Sequence, residues 1–464
     1  MKRVHLIGIG GTGMSAIAVV LLEKGYQVSG SDLIASPYFQ MVSKRGARVV
    51  LGHDAQLALQ ADLIVRSSAV KDDDPEVAAA LAAGKPVIKR EAFLSELTWG
   101  KETIAVAGSH GKTTTTAMLI CLLDALTYDP SFIVGAEIKE LGTNARWDVG
   151  RYFVIEADEY DRMFLGLTPK LSVVTNIEHD HPDCFPTPQD YQDAFRDFIN
   201  RAAPGGKSIL CGDDPGVRSL LQADLRTDIE LLTYGFKEDC DYRIEDYIWD
   251  GGASHFTLRR YQSHQQAQAL GTFTLRLPGK HNVSNAAAAL AVVDAIGGSA
   301  ADCAPALAAF AGTERRFDIV LENAGEVLIN DYGHHPTQVR ATLSAARDLF
   351  PTKKLWAVWE PHTFTRTESL QNEFAQALEL ADAVIITKIY AARELDDGFT
   401  PQTIVDALPA GKARYIPDFA EIVDALTREL TGNDVIIFLS AGKGPQISAC
   451  LRDNILKRSG EAAV

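Results

Sequence analysis

Residues 108–113 read Gly-Ser-His-Gly-Lys-Thr and carry the clearest chemical signal in the sequence. Two glycines let a tight turn bring backbone N–H groups up to phosphate oxygens, and a helix opening at Lys112 adds its dipole. The Lys112 ammonium supplies a point charge, and the Thr113 hydroxyl can ligate Mg²⁺. The stretch therefore reads as a triphosphate cradle, with Gly108, Ser109, His110, Gly111, Lys112, Thr113 and Thr114 as ATP-binding candidates. In the common pattern G-x-x-x-x-G-K-[ST] the first glycine would fall at Val106, so this is a variant loop with its turn at Gly108. The plainer reading, a strand-to-helix turn with a surface lysine, leaves the Lys-Thr pair at the helix start unexplained.

Two acidic segments follow apolar runs, Glu156-Ala157-Asp158-Glu159-Tyr160-Asp161 and Asn176-Ile177-Glu178-His179-Asp180-His181. Both are expected at the C-terminal ends of parallel strands, where ligands bind. The first is either a solvated acidic turn or the carboxylate that holds a cation opposite Thr113. The second has metal-ligand residue types but one strand's worth of them, which favours a single hard-metal contact over a transition-metal cluster. Near the start, Gly8-x-Gly10-x-x-Gly13 separates a strand from a helix, and Asp32 ends the next strand about twenty residues on. That is a dinucleotide fingerprint, although any nucleotide diphosphate satisfies the same loop. Asn282 and Asn285 lie one turn apart, able either to cap a helix or to present amides to a base edge.

The elements that must position these residues follow from the apolar pattern. Strands are expected at residues 4–7, 25–32, 48–50, 63–65 and 86–88, closing a first unit near Trp99. A second unit runs from the strand at 104–107 through those at 151–155 and 171–175, and short strands occupy residues 206–277. The Gln-rich patch at 262–268 reads as a hairpin tip or loop. Residues 310–317 look like a junction, after which βα alternation restarts with strands near 327–331, 354–359, 383–387 and 435–439.

With 464 residues the chain needs two or three cores, and 46% apolar with 23% charged residues is ordinary for a globular protein. A net charge of −16 argues against a nucleic-acid or anionic-membrane partner, so an anionic ligand must be held by local charge. Six cysteines without a C-x-x-C pair suggest neither a zinc site nor a disulfide framework. Met1-Lys2-Arg3 leads straight into a strand, unlike a signal peptide, and no apolar run is long enough to span a bilayer. A cytoplasmic enzyme is expected.

In this order, HLIGIGGTGMSAIA, GSHGKTTTT, EADEYD, TNIEHDH, PGKHNVSNAAAA, GTERRF, NDYGHHPT and EPHTFTRT together resemble the Mur ligases over essentially the whole chain. The resemblance implies an α/β protein of three domains: a Rossmann-like UDP-sugar domain (1–99), a central P-loop ATPase domain with a mainly parallel sheet (100–313), and a Rossmann-like amino-acid domain (314–464). It implies ATP-driven amide formation through an acyl phosphate, best matched to the activity that adds L-alanine to the lactyl carboxylate of UDP-N-acetylmuramate. ATP and Mg²⁺ or Mn²⁺ would be the cofactors, in a monomer or weak homodimer. By position in the motifs, Glu156 and His181 join Thr113 as metal ligands, and Asn282, Asn285, Arg316 and Asp331 contact the nucleotide. Lys112, Glu156, His181 and His334 would be catalytic, with His334 the base for the incoming amine. Gly10, Gly11, Thr12, Gly13, Met14, Asp32, His53 and Ser67 would hold the UDP-sugar. Tyr332, His334, His362 and Arg366 would form the amino-acid pocket, with Thr363 standing where an arginine is often found. Some relatives carry a carbamylated lysine after the TNIE segment; here that region has Arg196 and none is expected. Three other readings compete: joining an intact murein tripeptide to the same acceptor, an NAD-dependent oxidoreductase read from the first glycines alone, and a non-catalytic ATP-dependent switch protein.

Overall fold

The structure, a computed structural model, describes residues 2–261, 267–323, 325–392, 394–396 and 398–459. The expected Gln-rich tip falls mainly on residues 262–266, outside the described residues. The chain is α/β, with three sheets distributed over two compact units. One unit comprises Met1–Asp246, Phe256–Phe273 and Ser284–Phe310, and the other Tyr247–His255, Thr274–Val283 and Ala311–Val464.

The first sheet is five-stranded and parallel, in the order Arg48–Leu51, Gln27–Asp32, Arg3–Ile7, Leu63–Arg66, Val87–Lys89. Strand order reverses beside Arg3–Ile7, and the glycine loop leaves the C-terminal end of that strand, the place where open α/β sheets bind ligands. The helix Thr12–Glu23 that follows is apolar on all sides, and residues Met14 to Leu21 are buried. Such a helix needs partners all round. It packs on its own sheet and also on the strands Ser131–Ile138 and Thr143–Arg146 of the next.

The ten-stranded second sheet is parallel around Glu102–Ala107, which lies between Leu171–Val174 and Tyr152–Glu156. Its run Thr103 to Ala107 is buried, as a strand covered on both faces requires. An antiparallel hairpin, Ser131–Ile138 with Thr143–Arg146, forms one edge. The last strand of this region runs Gln268–Leu275.

The third sheet is six-stranded, in the order Asp318–Asn323, Glu326–Asp331, Asp434–Ser440, Lys354–Glu360, Ala383–Ile386, Ala413–Tyr415. Only its first pair is antiparallel. Asp318–Asn323 escaped the sequence reading because it is an edge strand, half exposed and bearing polar residues at both ends. Among the described residues, no helix is long and apolar enough to cross a membrane.

Candidate active site

Gly108 has φ +137°, and a Cβ there would lie 2.0 Å from Thr175 Oγ1. The variant turn thus needs glycine because the neighbouring strand's end presses against it. The helix Lys112–Ala125 begins after Gly111 (φ +81°) with no side-chain cap, so its first N–H groups stay available to a ligand's oxygens. Four successive threonines open this helix although β-branched residues cost a few tenths of a kcal/mol each there. All four are buried, Thr116 returns its hydroxyl proton to the Lys112 carbonyl at 2.8 Å, and Thr113 Oγ1 donates to Glu156 Oε1 at 2.9 Å. The other Glu156 oxygen accepts the Gly135 N–H at 2.6 Å.

The acidic segment divides its labour. Glu156 faces Thr113, whereas Glu159, 1% exposed, forms an ion pair with Lys112 at 2.8 Å. The solvated-turn reading fails for these two. Burial alone would lower the Lys112 pKa, but the carboxylates of Glu159 and Asp158 outweigh it and hold the ammonium above its ordinary value. Glu159 also accepts from the Tyr191 hydroxyl at 3.3 Å. Tyr191, Phe185, Phe195, Phe164 and Phe198 form a run of edge-on and stacked rings with centroids 4.7–5.4 Å apart. Such pairs are worth about 0.5–1.5 kcal/mol each beyond area burial, which makes a stiff floor under the loop.

The second acidic segment clamps the loop rather than presenting a cluster of ligands. Asn176 accepts the His110 N–H at 2.8 Å and donates to the His110 carbonyl at 3.0 Å. Ser109 Oγ donates to the Glu178 carbonyl and accepts the Glu178 N–H, both at 2.8 Å, so its side chain ties two loops together. Glu178 sits 2.7 Å from His110 Nε2, and His179 Nε2 bonds the Phe185 carbonyl at 2.7 Å. His181 adopts φ +57° and places Nε2 3.7 Å from Glu159. A threonine hydroxyl and a carboxylate oxygen are donors that suit Mg²⁺ or Mn²⁺, and the 2.9 Å Thr113–Glu156 contact brings them together, whereas the His181 imidazole faces Glu159 and Asp180.

Asn285 belongs to the loop's surroundings: a Cβ on Gly111 would be 2.6 Å from its Oδ1. Asn282 instead donates to the Pro278 carbonyl at 2.8 Å. The helix starts at Lys280, so neither asparagine is its N-cap. At the first glycine loop Asp32 is bound to the backbone of the turn. Its Oδ2 accepts the Gly10 N–H at 2.8 Å and its Oδ1 the Ile34 N–H at 3.0 Å, pinning the turn. Helix Thr12–Glu23 has Gly11 as an N-cap without a side-chain bond, so this N-terminus too is open. Ser67 touches Gly8, the Met14 side chain is core, and His53 lies 3.5 Å from Asp74.

In the other unit, Tyr332, His334 and His362 come together with rings 5.3 and 5.6 Å apart, and Tyr390 extends the row at 5.7 Å from His362. Tyr390 was missed by the sequence reading; its backbone pairs with residues 361–363, and Thr363 is held at φ +64° by its N–H to the Tyr390 carbonyl. Arg366, buried, places Nη1 2.8 Å from His362 Nδ1. A guanidinium cannot accept, so Nδ1 does, and neutral His362 carries its proton on Nε2. His334 is the reverse: Nδ1 donates to the Tyr332 carbonyl at 3.2 Å, which puts the lone pair of the neutral ring on Nε2. Asp331 accepts the N–H groups of Phe317 and Gly333 at 2.9 and 2.8 Å. Burial raises its pKa, partly offset by Arg316, which itself stacks 4.9 Å from the Tyr332 ring. Arg196 pairs with Asp193 at 2.7 Å.

A doubly wound sheet with an open glycine loop beside a P-loop sheet defines a P-loop α/β enzyme with two nucleotide-type loops in one unit. Sequence profiles narrow the class: the Mur ligase family catalytic domain matches residues 3–101, the Mur ligase middle domain 106–293 and the Mur ligase glutamate ligase domain 315–442. The chain belongs to the Mur ligase family. It is 41% identical to the UDP-N-acetylmuramate–L-alanine ligase of Roseiflexus sp., over 98% of this chain and 99% of that one. The enzyme of the same name from Solidesulfovibrio magneticus is 40% identical over 97% of each. Among solved structures it is similar to the UDP-N-acetylmuramate–alanine ligase of Thermotoga maritima (TM-score 0.83, 26% identity, 99% and 100% covered). It is also similar to a murein peptide ligase of Psychrobacter arcticus (TM-score 0.74, 25% identity, 100% of both chains).

Proposed function

We propose that the protein joins L-alanine to the lactyl carboxylate of UDP-N-acetylmuramate at the expense of ATP, a step of peptidoglycan precursor synthesis. The observation that carries this reading is the near-full-length identity of 41% to a ligase of that name, together with a buried arginine–histidine pair suited to an amino acid's carboxylate. We assign residues 1–99 to the sugar nucleotide, 100–313 to ATP and 314–464 to the amino acid. The work is cytoplasmic and needs neither nucleic acid nor membrane; the active form is a monomer or weak homodimer.

The lactyl carboxylate attacks the γ-phosphorus and ADP leaves; the alanine amine then attacks the acyl phosphate carbonyl, and phosphate departs as the amide forms. Lys112 and the N–H groups of the loop neutralise charge on the transferring phosphoryl group. Thr113, Glu156 and His181 would hold Mg²⁺ or Mn²⁺, which when bound supplies further neutralisation of the phosphates. Asn282, Asn285, Arg316 and Asp331 complete the nucleotide's contacts. Arg366 takes the amino-acid carboxylate. An α-amino group with a pKa near ~8 is mostly protonated at neutral pH. The Nε2 lone pair of His334 accepts the proton that the amine must lose.

A substrate panel tests the reading. ADP release with UDP-N-acetylmuramate is expected to need L-alanine, to be weaker with glycine or L-serine, and to be absent with the murein tripeptide. Release with the tripeptide and none with L-alanine would transfer the activity to the peptide-joining class. Nicotinamide binding is expected to be absent. His334→Gln is expected to lower kcat/KM for L-alanine by about 10²-fold at pH 7, with the deficit shrinking above pH ~9 as the amine loses its own proton. A deficit that is constant with pH would remove the base role.

A further inference from the structure

Arg90 opens the helix Arg90–Leu97 of the first unit. Its side chain is only 19% exposed, yet among the described residues its guanidinium makes no hydrogen bond, and Nε is buried without a partner. Its one ion pair, to Asp158 Oδ2 at 3.8 Å, is too long for a hydrogen bond. The buried Nε–H is costly in this state, since it has exchanged water for nothing, while the two terminal nitrogens keep access to solvent and stay free to bind. Burial accordingly pulls its pKa below the ordinary value, with Asp158 and Asp161 only partly compensating.

The location sharpens the anomaly. A Cβ on Gly13 would lie 2.0 Å from Arg90 Nη1, so the cation rests on the first turn of Thr12–Glu23, beside the uncapped and positive end of that helix. Nor is the placement loose. The helix bearing Arg90 is seated on the turn Tyr160–Gly166, where a Cβ on Gly166 would meet the Glu91 carbonyl at 2.2 Å. Two sources of positive potential thus converge, opposed by Asp158 at 3.8 Å and by Asp32, which binds the Gly10 N–H of the same turn, in a chain of net charge −16.

We infer that Arg90 is a substrate-binding residue that clamps the diphosphate of the uridine sugar nucleotide against the turn at residues 10–13. The ligand's identity rests on the function proposed above; the need for a compact polyanion rests on the geometry. Gly13 is then glycine because a methyl group would occupy the place of the guanidinium. Arginine suits the post better than lysine, because its planar fork reaches two phosphate oxygens at once. Through Asp158 the same side chain touches the segment that carries Glu156 and Glu159.

The test compares affinities for uridine and UDP by calorimetry in wild type, Arg90→Met and Arg90→Lys. Wild type is expected to prefer UDP strongly. Arg90→Met is expected to lose at least about tenfold of that preference and to flatten its salt dependence, while uridine affinity stays within about twofold; Arg90→Lys recovers part of the loss. The unchanged uridine affinity reports that the fold is intact. An unaltered UDP-over-uridine ratio, or an equal loss for both ligands, would overturn the assignment. A wild-type protein that does not distinguish UDP from uridine would overturn the sugar-nucleotide reading with it.

Discussion

Lys112→Ala is expected to lower kcat by about 10³-fold, roughly 4 kcal/mol of transition-state stabilisation, with the KM for L-alanine nearly unchanged. The ammonium opens the helix at the turn and is held by Glu159 at 2.8 Å, so its loss removes charge neutralisation that no nearby cation on the loop replaces. The same substitution has a second cost. Glu159 would be left buried without its counter-ion, and breaking such a pair costs about 3–5 kcal/mol. The two effects separate in the double variant Lys112→Met with Glu159→Gln, which removes both charges at similar volume. Its unfolding midpoint is expected to return towards wild type while turnover stays as low as in Lys112→Ala. Near-normal amide formation by Lys112→Ala would refute the phosphoryl-transfer role.

Glu156→Gln is expected to cost at least 10²-fold in activity and to shift half-saturation by Mg²⁺ upward by about tenfold or more. Here the fold should be spared. The glutamine carbonyl can still accept the Gly135 N–H, and its amide can donate to Thr113 Oγ1, so both local hydrogen bonds survive with only the charge removed. Thermal unfolding within about a degree of wild type would show this. A variant whose activity is restored at ordinary Mg²⁺ concentrations would place the metal elsewhere.

The parts legible in the sequence were those encoded by short spacing. The turn at Gly108, the lysine and threonine that open a helix, and the parallel strands flanking them follow from residues within a few positions of one another. What stayed hidden depends on partners distant in the chain. Glu159 sat in a motif read as either solvent-facing or metal-binding, and only its approach to Lys112, 47 residues away, shows it to be a buried counter-ion. Asn176 was given no role of its own and is a clamp on the His110 peptide. Arg90 and Tyr390 carried no pattern at all, because what distinguishes them is the glycine or ring across from them. The edge strand Asp318–Asn323 was invisible for a related reason, since its partner on one side only leaves it half polar.

The Lys112–Glu159 pair has a consequence for which nucleotides the protein can notice. A ligand must offer Lys112 more than the carboxylate already does, and only a β- or γ-phosphate at the turn can. AMP and adenosine, lacking those groups, would leave the pair closed and gain little from the loop. The empty protein is thereby kept deaf to AMP and adenosine, though not to ADP, and a starving cell rich in AMP would not clog it.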